Sequence, residues 1–546
     1  MKKILVLSAA FCLIVTSAFS QNLDPTVIVN KTYEGKLIEV RKPSFEMAVP
    51  DSVSQFALDF DYLVFEKPYK GADGFSPYIF DMKPVTEPYE PKSFYLNAGA
   101  GYTLHPELDL VWSPYLGDSF KVDVYGMHRS YVGKYYDDWS GYDMKSVAGI
   151  NARLERRVFA TGFDVSYYGL ASKDFSKRRM YDALDASLYL KSKPADEKAF
   201  LYDVRAAYRL AGDKLHYLAS DAGVGEHNLN VDAVAGKAFR RGHKVTVDLS
   251  FEMDVYNSSW YSGRVGQVTV APHYMYSKGR FYVDAGLKIS KLLKDKGNLS
   301  MFRATGQLLY PDVKAAFALI PDAMRLYAHV GGGNMINTYA SLLERNHHVD
   351  PTFGLESGLM DVTVERISAA IGLEGRIGAR FVYDLRAGYV NYAEAMLDAV
   401  YPSVEGQLCL PGVGYSPYSK YFAALDWKMN LPSWRFDGNV TYTHAWGADE
   451  TSGLFLPAAL AGDVAFGYDW RQRVFAGVDC EFSTARHSSL YMIPAYADLG
   501  VTAEYVVNRM VSVWARGGNL LNMAIMRNPC YAEKGVSCTV GICLNL

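Results

Sequence analysis

From Lys244 onward the chain reads K-V-T-V-D-L-S-F-E-M-D-V-Y, and this run limits what the rest can become. Val245, Val247, Leu249, Phe251, Met253 and Val255 share one parity, while Lys244, Thr246, Asp248, Ser250, Glu252 and Asp254 share the other. Successive side chains of a strand point to opposite faces, so one face is wholly apolar and the other charged or hydroxylated. The preceding run does the same, with Leu229, Val231, Ala233 and Ala235 against Asn230 and Asp232. Only the short basic turn Arg240-Arg241-Gly242-His243 separates the two. A strand of a soluble sandwich also has one wet face, so the recurrence of the pattern decides.

The pattern recurs from Ser93 to the end of the chain. Phe94 to Tyr102, Phe200 to Tyr208, Phe281 to Ile289, Tyr421 to Met429, Val474 to Phe482 and Cys538 to Leu546 are examples. About 22 such segments follow one another, each near the roughly ten residues of a tilted membrane strand. Their connections alternate in length. Tight ones fall at Glu155–Arg157, Ser277–Gly279, Ile320–Asp322, Leu431–Ser433, Arg471–Arg473 and Asn508–Met510. Long ones are expected at 211–226, 293–307, 335–361, 394–417 and 519–535. Short periplasmic turns and long outer loops are what an outer-membrane barrel requires, and 335–361 and 394–417 are read as its extracellular reach. Trp112, Tyr276, Trp434 and Trp470 gather near the short turns, as a headgroup girdle does. A string of β-sandwiches needs polar outer faces, and no open sheet edge survives in lipid. The expected fold is all-β: a transmembrane antiparallel β-barrel of about 22 strands spanning 93–546.

Composition agrees with that reading. High tyrosine and glycine (41 and 46 residues) suit a protein with a lipid-facing outside and a wet inside. Near balance between 56 basic and 59 acidic residues argues against nucleic-acid binding. Cys480 and Cys538 fall at lipid-facing positions, where a thiol behaves as a small hydrophobe. Cys409 and Cys530 fall in loops, and whether they pair is left open.

The N-terminal part differs. Residues 1–20 read as a secretory signal, with Lys2 and Lys3, an apolar stretch from Ile4 to Ala18, and the small-x-small site Ala18-Phe19-Ser20. Residues 21–92 carry Pro25, Pro43, Pro50, Pro68, Pro77, Pro84, Pro88 and Pro91, a spacing that prevents a long sheet. Their many aromatics, among them Phe65, Tyr69, Phe75 and Phe80, argue against simple disorder. The segment is read as periplasmic, with Phe56 to Phe80 docking across the barrel mouth as an abbreviated plug. Asp59 and Asp61 then meet inward arginines.

Asn519-Leu520-Leu521-Asn522, followed by Tyr531, Gly535 and a last alternating strand, resembles the barrel end of TonB-dependent receptors. The resemblance is specific over the last 50 or so residues and architectural before them. It implies an outer-membrane receptor or transporter for a solute, with energy coupling from the periplasm. Asp24-Pro25-Thr26-Val27-Ile28-Val29 weakly resembles the coupling segment of that family. Two departures stand out: the segment before the first strand is shorter than that family's plug, and the last residue is Leu546 rather than an aromatic.

No catalytic, cofactor or metal site is read from the residues. His347, His348 and Asp350 are adjacent, and adjacent residues rarely converge on a metal, so they are read as a solvated loop. Asp479, Glu481, Asp498 and Glu504 face the lumen with Arg205, Arg380, Arg386, Arg435 and Arg516, which points to wall-stiffening ion pairs rather than an acid pair. The chain is read as a non-enzyme. Its expected partners are membrane lipid, an unidentified solute, and a periplasmic energy-coupling protein or surface lipoprotein. The alternative is a structural or assembly barrel.

Overall fold

A computed structural model of the protein describes residues 93–546, apart from 103–104, 118, 138, 175–176, 194–199, 218–220, 240–241, 259–261, 295–303, 322, 350–359, 379, 403–408 and 449–452. The first strands are β1 (Phe94–Gly101), β2 (Glu107–Trp112), β3 (Phe120–Lys134), β4 (Ser140–Glu155), β5 (Phe159–Lys173) and β6 (Lys177–Ser192). They are followed by β7 (Phe200–Tyr217), β8 (Asp221–Phe239), β9 (His243–Ser258), β10 (Ser262–Lys278), β11 (Phe281–Lys294), β12 (Leu309–Ile320) and β13 (Met324–Ile336). After a short helix α1 (Tyr339–Arg345) come β14 (Val362–Ile377), β15 (Phe381–Pro402), β16 (Cys409–Asn430) and β17 (Trp434–Trp446). The wall ends with β19 (Leu460–Trp470), β20 (Val474–Ser483), β23 (Tyr496–Val506), β24 (Val511–Gly518) and β25 (Ser537–Asn545). Two-residue pieces β18 (Leu454–Phe455), β21 (Arg486–His487) and β22 (Met492–Ile493) lie in the connections.

Each wall strand pairs antiparallel with the next, and β25 returns to β1 through Tyr95↔Asn545 to Gly101↔Thr539. The result is a closed barrel of 22 strands, and closure removes the exposed edge that lipid forbids. The seam carries its own device. Gly99, Gly541 and Trp514 are register neighbours, and a Cβ on Gly541 would stand 2.4 Å from the Trp514 ring. The indole therefore lies across the three closing strands, with Nε1 donating to Asn97 Oδ1 at 2.5 Å.

The alternation read from β9 holds. Val247 and Leu249 are exposed on the outer surface, whereas Asp254 is fully buried and Ser250 donates to Asp232 across the lumen face at 2.6 Å. An arginine at Leu249 is expected to cost about 2–4 kcal/mol and to hinder assembly, as a charge at mid-bilayer does. One at Ser250 should change stability by less than about 1 kcal/mol, since Asp232 stands beside it. Heat-modifiable gel migration of the two variants checks this, and the reverse ranking would invert the register.

Trp434 and Trp446 begin and end β17, both facing outward. At a rise of about 3.3 Å per residue and a tilt of about 40°, they are about 30 Å apart along the barrel axis, one hydrocarbon thickness. Trp434 sits with Phe466 and Tyr468 at the short-turn end. Trp446 sits with Tyr421 and Tyr389 at the other, so a second girdle joins the one expected at the short turns. A closed barrel with this apolar belt between aromatic girdles is an outer-membrane protein.

The six tight turns fall where expected. Two long connections do not. Residues 211–226 are mostly strand, since β7 runs to Tyr217 and β8 starts at Asp221, and 394–417 are likewise taken up by β15 and β16. Above the membrane the outward face no longer needs apolar residues, so the pattern fades while the hydrogen-bond ladder continues.

Candidate functional site

Three connections fold over the lumen at the long-loop end, in their described residues 337–349 with 360–361, 484–495 and 519–536. The first contains α1, which the sequence reading did not foresee. Thr338 caps it, its hydroxyl accepting from Ser341 N at 3.1 Å. Two further N–H groups of the first turn, those of Tyr339 and Ala340, donate to the Glu226 carboxylate on β8. Tyr339, Ala340, Leu342 and Leu343 are buried against Tyr168, Tyr181, Leu215, Val224 and Tyr256 of the wall. This is the largest apolar cluster among the described residues, and it lies inside the lumen. Full burial of such a side chain contributes about 1.5–3 kcal/mol, so the segment is docked rather than draped.

Ion pairs fix its position. Arg179 on β6, 1% exposed, meets Asp213 on β7 at 2.9 Å. Its guanidinium also donates to the carbonyls of His347 and of Val349, the latter at 2.5 Å. Tyr339 Oη donates to the same Asp213 at 2.5 Å, so one carboxylate joins wall and helix. At the far end of α1, Arg345 reaches Asp398 on β15 at 2.6 Å. Asp398 also holds Arg486 of the second connection at 2.7 Å.

The third connection completes the cluster. Arg486 donates to the Arg527 carbonyl at 2.8 Å, and Arg527 reaches Glu481 at 2.7 Å and Asp498 at 3.1 Å. The Asn519-Leu520-Leu521-Asn522 stretch anchors this connection. Asn519 and Asn522 adopt positive φ, and the Asn519 side chain donates to the carbonyls of Met523 and Lys534 while accepting from Met523 N. Asparagine tolerates that conformation better than most residues.

His347 and His348 are held rather than free: His347, still partly exposed, meets Asp143 at 3.1 Å, and His348 stacks on Tyr531 with ring centroids 3.8 Å apart, while Asp350 lies outside the described residues. The loop is folded inward, and the contact joins the first connection to the third. No metal-ligating group of three or more appears among the described residues. Arg386 lies 3.0 Å from Asp384 and 3.2 Å from Asp426, ion pairs within the wall as expected, whereas Glu481 and Asp498 hold Arg527 of the third connection instead of a wall arginine. Cys530 is in a disulfide, while Cys480, Cys538 and Cys543 are free. The side chain of Cys409 and the segment from Phe56 to Phe80 lie outside the described residues.

Burial, with the nearby charges of His347, Lys177 and Arg179, holds His348 below its ordinary value, so it is neutral when docked. Undocked, it gains a proton near about pH 6.5. The undocked state then binds more protons, so docking is complete above that pH and weakens as pH falls below it. The protection factors of amides in 337–349, exchange rates taken relative to the unfolded chain at the same pH, are expected to fall between about pH 6.5 and 5 and to lose that dependence in His348→Phe.

No protein-family model and no curated protein matches the sequence. Solved structures do match the fold. The copper transporter OprC shares 11% identity with a TM-score of 0.63, over 84% of this chain and 82% of that one. The ferric-catecholate import receptor Fiu from E. coli K12, in a closed form, gives 10%, 0.62, 84% and 82%. The Serratia marcescens hemophore receptor HasR, solved with its hemophore HasA and heme, gives 11%, 0.62, 84% and 81%. These are receptors and transporters rather than enzymes, and this chain shares their barrel architecture.

Proposed function

We propose that this barrel admits a solute across the outer membrane, with the three interlocked connections as its movable outer closure. The observation that supports this is the chemistry of the closure. The wall is held by a continuous ladder, whereas the connections meet it through one apolar cluster at α1, through hydrogen bonds to Arg179 and Asp213, and through ion pairs converging on Asp398 and Arg527. Such pairs form and break as units, which suits an element that must move. The barrel it shares with a copper transporter and with siderophore and heme receptors supports a transport role, with the solute still to be identified. Energy coupling through 24–29 belongs to the same proposal.

Asp398→Ala leaves two guanidinium groups without their shared carboxylate. Cells producing it in a chain lacking residues 21–92 should become sensitive to large antibiotics that the truncated parent excludes, with barrel abundance unchanged. Unchanged permeability, together with loss of a co-purifying envelope protein, would instead favour an assembly barrel.

A further inference from the structure

The outer face of β5 to β9 carries a second feature, at the same end as the closure. Register partners run Tyr142↔Lys173↔Arg178↔His216↔Asp221 from β4 to β8. One step toward the belt lies the row Met180↔Lys214↔Gly223. The next is Asp182↔Gly212↔Gly225↔Asn257. Their sequence neighbours Arg179, Tyr181, Leu215, Ala222 and Val224 are buried inward, so these rows face outward. Immediately below stand Leu184, Leu210 and Leu229 of the apolar belt, with the Tyr208–His227 hydrogen bond at 2.8 Å on its border.

Two facts there lack an internal explanation. Lys173 lies directly opposite Arg178, and like charges in that position destabilise a sheet. Among the described residues, Lys173, Arg178 and Lys214 have no anionic side-chain partner. The nearby carboxylates are engaged, Asp221 with His216 at 2.9 Å and Asp182 with Tyr167 Oη at 2.5 Å. Beside the cations is a recess of about 660 Å³ lined by Gly212, Gly223, Gly225, Asn257 and Ser258. A Cβ on Gly223 would meet nothing within 4 Å, and on Gly212 or Gly225 only a carbonyl at 3.8 Å. Packing does not demand these glycines; their effect is to leave room.

We propose that this face binds a phosphorylated glycolipid of the outer leaflet, a site that rests on the long-loop end facing outward. Phosphate takes the Lys173–Arg178–Lys214 group, where an arginine fork and two ammonium groups match its charge. A headgroup sugar fills the glycine recess, with Asn257 and Asp182 at its rim for the hydroxyls. Acyl chains lie on Leu184, Leu210 and Leu229. A phosphoglycerol lipid has the charge but no ring to fill the recess.

The test uses the full chain in mild detergent, titrated with diphosphorylated lipid A and read by native mass spectrometry. A one-to-one complex is expected. Binding should be at least tenfold weaker with dephosphorylated lipid A, with phosphatidylglycerol, and with the K173Q/R178Q/K214Q variant. Gly223→Trp keeps every charge and fills the recess, and should weaken lipid A binding to a similar degree. Equal binding of dephosphorylated lipid A or phosphatidylglycerol overturns the proposal, as does parental binding by the triple variant. If the triple variant does not assemble, parental binding by Gly223→Trp overturns it instead. Solute passage plays no part in this readout, so the two proposals fail separately; protease nicking of intact cells at 156–158 would overturn the orientation and with it the outer-leaflet site.

Discussion

Arg179→Ala is expected to release the 337–349 segment from the wall while leaving the barrel assembled. The guanidinium is buried against an equally buried carboxylate, with side-chain exposures of 1% and 0%. Removing one member of such a pair leaves an uncompensated buried charge, which costs about 3–5 kcal/mol. Part of that cost is avoided if the segment lifts and water reaches Asp213. The docked state is the one that loses, because the carbonyls of His347 and Val349 lose their donor at the same time. At about 1.4 kcal/mol per tenfold, the undocked population should rise by about a hundredfold or more. Limited proteolysis reads this directly as cleavage within 337–361. Arg179→Lys should fall between, since an ammonium group cannot reproduce the fork.

Removing residues 21–92 is the second large perturbation. β1 closes on β25 without them, with Ser93 and Phe94 N–H groups both donating to the Leu546 carbonyl, so the truncated barrel should assemble. A barrel of about 22 strands has a lumen wide enough that such barrels are plugged. On the proposal that residues 21–92 cover the periplasmic mouth, their removal leaves only the three connections to close it. Conductance in planar bilayers should therefore rise modestly on truncation and severalfold more when Arg179→Ala is added. Full-bore conductance from truncation alone would show that the connections do not seal.

Much of this fold could be read from the chain because a barrel in lipid repeats one constraint. Leu249 must face lipid and Ser250 must not, and each strand restates that rule with period two. The tight turns were equally visible, since Glu155–Arg157 or Arg471–Arg473 interrupt the apolar parity for only a few residues. The rule lapses above the membrane, and there the reading failed: Gly212, Lys214 and Gly223 face outward on regular strands that looked like loop. α1 is too short to show a helical period. The closure was illegible for a further reason. Arg179, Asp213 and Tyr339, or Asp398, Arg345 and Arg486, come together only after the wall closes. Asn519-Leu520-Leu521-Asn522 was visible as a motif, but its role in fixing the third connection emerged only from its hydrogen bonds.

The most direct measurement of the central claim is single-channel conductance of the barrel lacking 21–92, compared with the same barrel carrying Arg179→Ala and Asp398→Ala. If the three connections are the outer closure of a solute pathway, the first conducts poorly and the second opens to a large, stepwise conductance. If both conduct equally, whether wide open or shut, the connections do not gate the lumen, and the proposed pathway is contradicted.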